Sequence, residues 1–72
     1  MKKNIQYLIN LILPPNCHCQ HIQPRTYRIT CFDDGTARGV WEKRHQFYSM
    51  LNSDDILEVV GDEYHARSHY QP

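Results

Sequence analysis

The sequence predicts a small α+β single domain, built from antiparallel β-hairpins and one or two short helices. Three observations carry this expectation. An acidic-glycine turn, Asp33-Asp34-Gly35, separates two strand-like runs. A second pair of alternating runs flanks Gly61-Asp62. Between them Phe47, Met50 and Leu51 recur at helical spacing.

Residues 1–13, MKKNIQYLINLIL, form an apolar N-terminal element. As a strand it places Ile5, Tyr7, Ile9, Leu11 and Leu13 on one face. As a helix it places Ile5, Leu8, Ile9 and Ile12 in a stripe, which Tyr7, Leu11 and Leu13 widen to about two-thirds of the circumference. Helix is the reading preferred, and Pro14-Pro15 ends it. The Lys2-Lys3 start resembles the outline of a signal peptide, but Gln6 and Asn10 interrupt the apolar run. No small-residue cleavage site follows it, so the segment is read as part of the fold. Its apolar arc exceeds what one hairpin can cover, which predicts self-association through Ile5, Leu8, Ile9 and Ile12.

Residues 14–24 read as a polar loop, because NCHCQHIQP shows no hydrophobic period. Residues 25–43 read as a β-hairpin. A two-residue Asp34-Gly35 loop would pair Cys31 with Arg38 and mix apolar with charged side chains. A three-residue loop pairs Cys31 with Ala37, Ile29 with Gly39 and Tyr27 with Trp41, which sorts the faces better. It also places Gly35 where a left-handed residue is required. Residues 43–52 then form a short helix, and Asn52-Ser53-Asp54-Asp55 breaks it. For residues 56–68 a Ser53-capped helix competes with a second hairpin. The hairpin is preferred, with Leu57 opposite Ala66, Val59 opposite Tyr64 and Glu58 opposite His65. Residues 69–72 read as a tail.

A chain of 72 residues makes one domain with a thin stability margin, since so short a chain buries only about 60% of its unfolded surface. The formal charge is zero but unevenly spread. Residues 1–45 carry seven Lys/Arg against three acids, and residues 46–72 carry five acids against Arg67 alone. The plain reading is mutual attraction between the halves. Three cysteines, an odd number, do not suit a closed disulfide framework and point to a reducing, cytoplasmic setting.

No motif specifies a reaction. A nucleophile, base and orienting group can be assembled only on paper, and there is no phosphate-binding glycine loop, so no catalytic residues and no enzyme activity are expected. Cys17, Cys19 and His21 have the donor types of a zinc site, with Cys31 and His45 as further candidates. The Cys-x-Cys spacing and the inward turn of Cys31 weigh against that site, and no cofactor is expected. Arg25, Arg28, Arg38, Lys43 and Arg44 could meet phosphates, although neutral net charge opposes strong backbone binding.

The sequence therefore reads as a small non-enzymatic protein-interaction module. It would inhibit or regulate a partner protein, in the manner of phage or mobile-element accessory proteins, and would form a homo-oligomer away from any membrane. The alternative is a zinc-stabilised nucleic-acid-binding module using Cys17/Cys19/His21 and the Arg28/Arg38 face.

Overall fold

The fold follows from where the strand-forming residues find partners. A computed structural model describes residues 4–68. Tyr27, Ile29 and Cys31 alternate along β2 (Thr26–Cys31), and Leu57 and Val59 along β3 (Ile56–Val60). These two strands lie side by side in parallel at the centre of a four-stranded mixed sheet. β1 (Cys17–Gln23) pairs antiparallel on the outer side of β2. β4 (His65–Arg67) pairs antiparallel on the outer side of β3. A parallel pair needs a long crossover. Here it contains α2 (Asp34–Glu42) and α3 (His45–Tyr48), while α1 (Ile5–Ile12) precedes the sheet. The fold is thus α+β, with three short helices among the described residues where one or two are expected.

The helices cover one face of the sheet. Ile9, Ile29, Ala37, Leu57 and Val59 are completely buried there, with Cys19, Cys31, Val40 and Phe47 nearly so. The opposite face carries His18, Gln20, Arg28, Thr30, Glu58, Val60, His65 and Arg67, in register across the four strands.

The expected hairpin over residues 25–43 is replaced by β2 followed by α2. Asp33 is the N-cap of that helix rather than a turn residue, its side chain accepting the Thr36 N–H at 2.7 Å. Ala37, Val40 and Trp41 lie three and four apart, so a helix gathers them on one face as readily as a strand gathers Ala37 and Trp41. Gly35 sits in the first turn of α2, and no described glycine has positive φ. The inward orientation of Tyr27, Ile29 and Cys31 is as expected, because β2 is a strand in either arrangement.

The segment expected as a polar loop, residues 14–24, contains β1. Its alternation is Cys17, Cys19 and His21 on one side against His18, Gln20 and Ile22 on the other. Only Cys19 is fully buried, so hydropathy shows no period. The short helix expected over residues 43–52 narrows to α3, with Met50 and Leu51 in the turns that follow.

The second hairpin forms, but slid by two residues. Val59 faces Ala66 and Glu58 faces Arg67. A two-residue slip preserves the faces, so Leu57, Val59 and Ala66 still point to the helices. The turn is set by Asp34, whose Oδ1 accepts the N–H groups of Glu63 and Tyr64 at 2.8 and 2.9 Å. Bonds from Tyr64 and Glu63 hold its carboxyl below the usual range. Gly61 lies against this clamp: a Cβ there would stand 2.6 Å from the Asp34 carboxylate and 3.1 Å from Ala37 Cβ. The expected tail, residues 69–72, lies outside the described residues.

α1 is the expected helix, and its wide arc divides into three stripes. Asn4 caps it by accepting the Tyr7 N–H at 3.0 Å. Ile5, Ile9 and Leu13 pack on the core. Gln6 and Asn10, one turn apart, face the outer edge of β1. Asn10 accepts the Cys19 N–H at 2.8 Å and donates to the Cys19 carbonyl at 3.2 Å. Gln6 accepts the His21 N–H at 3.0 Å. Tyr7 and Leu11 face outward, 58% and 62% exposed. No helix among the described residues is long and apolar enough to cross a membrane.

Two outcomes test this arrangement. Asn10→Ala strands the Cys19 backbone groups and should cost about 2 kcal/mol in urea unfolding, whereas Tyr7→Ala on the outer stripe should change stability by no more than about 0.5 kcal/mol. Gly61→Ala should cost about 1–3 kcal/mol by forcing the clamp apart, with the Glu63 and Tyr64 amides losing hydrogen-exchange protection first.

Candidate functional site

The two outer edges of the sheet differ, and the difference locates the site. In β1 the Phe32 N–H bonds the Asn16 carbonyl. Ladder bonds alternate in an antiparallel pair, so Cys17, Cys19 and His21 direct their backbone groups outward. Those edge N–H groups are satisfied: Cys17 by the Pro14 carbonyl, and Cys19 and His21 by α1. In β4 the Ser68 N–H bonds the Leu57 carbonyl and the Gly61 N–H bonds the Tyr64 carbonyl. By the same alternation His65 and Arg67 point their N–H and C=O groups outward. These groups meet no partner among the described residues.

Beside this open edge lies a cleft of about 560 Å³. The end of α2 supplies Trp41, the following turn and α3 supply Arg44, His45 and Tyr48, and β4 supplies Arg67 with Ser68 just beyond it. The spacing of Trp41, Arg44, His45 and Tyr48 follows from helical turns, which align residues three and four apart. The Arg44 guanidinium lies 4.7 Å from the Trp41 ring centroid and donates to the Trp41 carbonyl at 3.0 Å. His45 meets Tyr48 edge-on at 5.5 Å. The floor loop is tied by Asp55, whose carboxylate accepts the Asn52 N–H at 2.8 Å. Arg44 has no ion pair among the described residues.

The open sheet face behind β4 is organised by Glu58. It is only 3% exposed, yet it lies on the uncovered side. Arg28 donates to one oxygen at 2.8 Å and Arg67 to the other at 2.9 Å, with His65 Nε2 3.8 Å away. Burial alone would push its carboxyl up. The bond from Arg28 and the charges of Arg28, Arg67 and His65 outweigh burial and hold it below the ordinary value.

Of the interface stripe, Ile9 is wholly buried, Ile5 and Leu8 are half-buried, and Ile12 is exposed at the end of α1. The most exposed apolar residues of that helix are Tyr7 and Leu11, which the stripe left out. Cys17, Cys19 and His21 share one side of β1 but do not converge. Cys17 Sγ lies 3.0 Å from Cys31 Sγ, Cys19 is buried, and His21 stacks on Tyr27 with ring centroids 4.5 Å apart. Burial pushes the Cys19 thiol up to about 11. Among the described residues no three His, Cys, Asp or Glu side chains are placed to hold a metal ion.

The five basic residues are dispersed. Arg25 pairs with Asp54 and Arg28 with Glu58. Arg38 lies over Tyr64 at 5.8 Å, apart from Arg28 rather than beside it, because it sits on α2 and not on a second hairpin arm. Lys43 caps the end of α2. Only Arg44 enters the cleft. Trp41 in this role was missed, since a helical reading of residues 34–42 is what brings it beside Arg44.

Comparison of the chain with protein-family models, curated proteins and solved structures returns no match.

Glu58→Gln should cost about 1–2 kcal/mol at neutral pH, a modest loss because both guanidinium partners are half exposed and can hydrate. The native carboxyl titrates below its ordinary value of 4.5. Its stabilisation is therefore complete above that value and is lost as pH falls through the lowered one. Urea unfolding across pH 3–6 should show a shallower acid loss in Glu58→Gln than in the native chain.

Proposed function

We propose that the protein is a small non-enzymatic interaction module that captures an extended segment of a partner protein, acting as an inhibitor or regulator. The segment adds as a strand to β4, and one of its apolar or aromatic side chains enters the Trp41–Tyr48 cleft. The observation that carries this reading is the unequal treatment of the two edges. β1 has its outward N–H groups satisfied, whereas His65 and Arg67 present theirs beside the cleft.

An exposed edge is normally blunted, because it pairs readily with other chains. β4 is short and carries Arg67 and His65, which limits promiscuous pairing while leaving backbone groups for a specific strand. Trp, Tyr and Arg are the residues most enriched at binding hot spots, and the cleft contains all three. Arg44, lacking a carboxylate partner among the described residues, favours an acidic residue in the captured segment. The cations are too dispersed for a duplex-binding face, although Tyr48, His45 and Arg44 together match the aromatic and basic lining used for single strands.

Selection of a random twelve-residue displayed peptide library on the immobilised chain tests the reading. Recovered peptides should be extended, carry an acidic residue and an apolar anchor, and lose at least about tenfold in affinity to Arg44→Glu and Tyr48→Ser, about 1.4 kcal/mol. Tyr7→Ser/Leu11→Ser should leave that affinity unchanged. Recovery of no binders, peptides that respond only to the α1 variant, or binding of a single-stranded oligonucleotide to the same cleft would each overturn it.

A further inference from the structure

We infer that Cys17 and Cys31 are a modification site, forming a reversible cross-strand disulfide at the open end of the β1–β2 hairpin. The two residues are direct partners in the register. Phe32 N–H bonds the Asn16 carbonyl, so the adjoining Cys17–Cys31 pair is a non-hydrogen-bonded pair, the closer of the two kinds, with Cα atoms about 4.5 Å apart. That spacing falls within the range disulfides span. Both side chains point to the helix side of the sheet, and their sulfurs stand 3.0 Å apart. Bond formation requires closure by about 1 Å, to the S–S length of about 2.0 Å.

The third thiol does not compete. Cys19 is buried two residues along the same strand and lies opposite Ile29, which separates it from Cys31 in the ladder. The odd cysteine count therefore leaves one pair and one buried thiol. The partners are unequal in access. Cys17 is half-buried at the start of β1, while Cys31 is 5% exposed. Burial, then the bond from Cys17 and the charges of Cys17 and Asp33, push the Cys31 thiol up to about 12, so it stays protonated at neutral pH. Cys17 is thus the sulfur that meets an oxidant.

With hydrogen peroxide as the oxidant, the Cys17 thiolate attacks one peroxide oxygen. The O–O bond breaks, and Cys17 becomes a sulfenic acid as hydroxide leaves and is protonated to water. The Cys31 sulfur then displaces the sulfenic oxygen, forming the S–S bond as its proton departs with that oxygen in a second water. Two thiols are oxidised and one peroxide is reduced to two waters. The product ties the loop leaving α1 to the segment that enters α2, because Asn16 and Phe32 flank the pair and Asp33 caps α2.

The test is peroxide or diamide treatment of the native chain, followed by intact mass and non-reduced peptide mapping. The expected product is a monomer lighter by two hydrogens, linked between Cys17 and Cys31, reversed by dithiothreitol, with Tm raised by about 10 °C. Cys19→Ser should give the same product, and Cys17→Ser and Cys31→Ser should not. A Cys17–Cys19 link, intermolecular disulfides alone, sulfinic acid at Cys17 with Cys31 untouched, or no reaction would overturn it. The native-chain mapping decides even if a variant folds poorly.

Discussion

β2 is enclosed on both edges, by β1 on one side and β3 on the other, and the parallel sense of its pairing with β3 organises the remainder. A parallel partner cannot be reached by a tight turn. The roughly two dozen residues between Cys31 and Ile56 must therefore cross over the sheet, and the cheapest way to satisfy their backbone while covering the apolar face is helical. Asp33 begins that crossover by capping α2, and Asp34 ends its influence a strand pair away, by holding the Glu63 and Tyr64 amides. Neighbouring acids thus do two jobs: one starts a helix and the other fixes a distant turn.

Outside this central pair lie β1 and β4, the other arms of the two hairpins, and their edges are treated differently. A helix can protect an edge strand if it presents polar side chains at the right pitch. Gln6 and Asn10 do so because four residues along a helix advance about 6 Å, close to the spacing of two residues along a strand. That match lets one amide meet Cys19 and the other His21. Among the described residues no helix reaches β4 in this way. The cleft at its end is formed instead by α2, α3 and the loop that follows them, and this is where an added strand would find both backbone groups and side-chain anchors.

The uncovered face of the sheet holds together through Glu58. A nearly buried carboxylate is costly unless its lone pairs are filled, and here Arg28 and Arg67 come from the strands on either side to fill them. The network crosses three strands, so it reinforces the parallel β2–β3 register and the antiparallel β3–β4 register at once. The charge split visible along the chain is discharged partly here and partly in the Arg25–Asp54 pair, both of which join the basic first part to the acidic second part.

Local chemistry alone preferred a helix to a strand for residues 5–13 and a hairpin to a helix for residues 56–68, leaving both rivals open, and it determined three features outright: the α+β class, the stop at Pro14-Pro15, and the strand character of residues 26–31. Each rests on periodicity or on residues that restrict their own backbone, and these act within a few positions. The tertiary structure decided the rest. Whether Asp33-Asp34-Gly35 turns a hairpin or starts a helix depends on which strand occupies the far edge of β2, because Ala37 and Trp41 suit both. β1 was hidden because its inward residues are Cys17, Cys19 and His21, and its stability comes from α1 and β2 rather than from its own hydropathy. The cleft was legible only in part. Arg44 stood among the basic residues and His45 among the candidate metal donors, but Tyr48 joins them through the turns of α3, and Trp41 only once residues 34–42 are helical. The Cys17–Cys31 approach was not legible at all, since it requires two segments fourteen residues apart to align in one register, and register is a property of the assembled sheet.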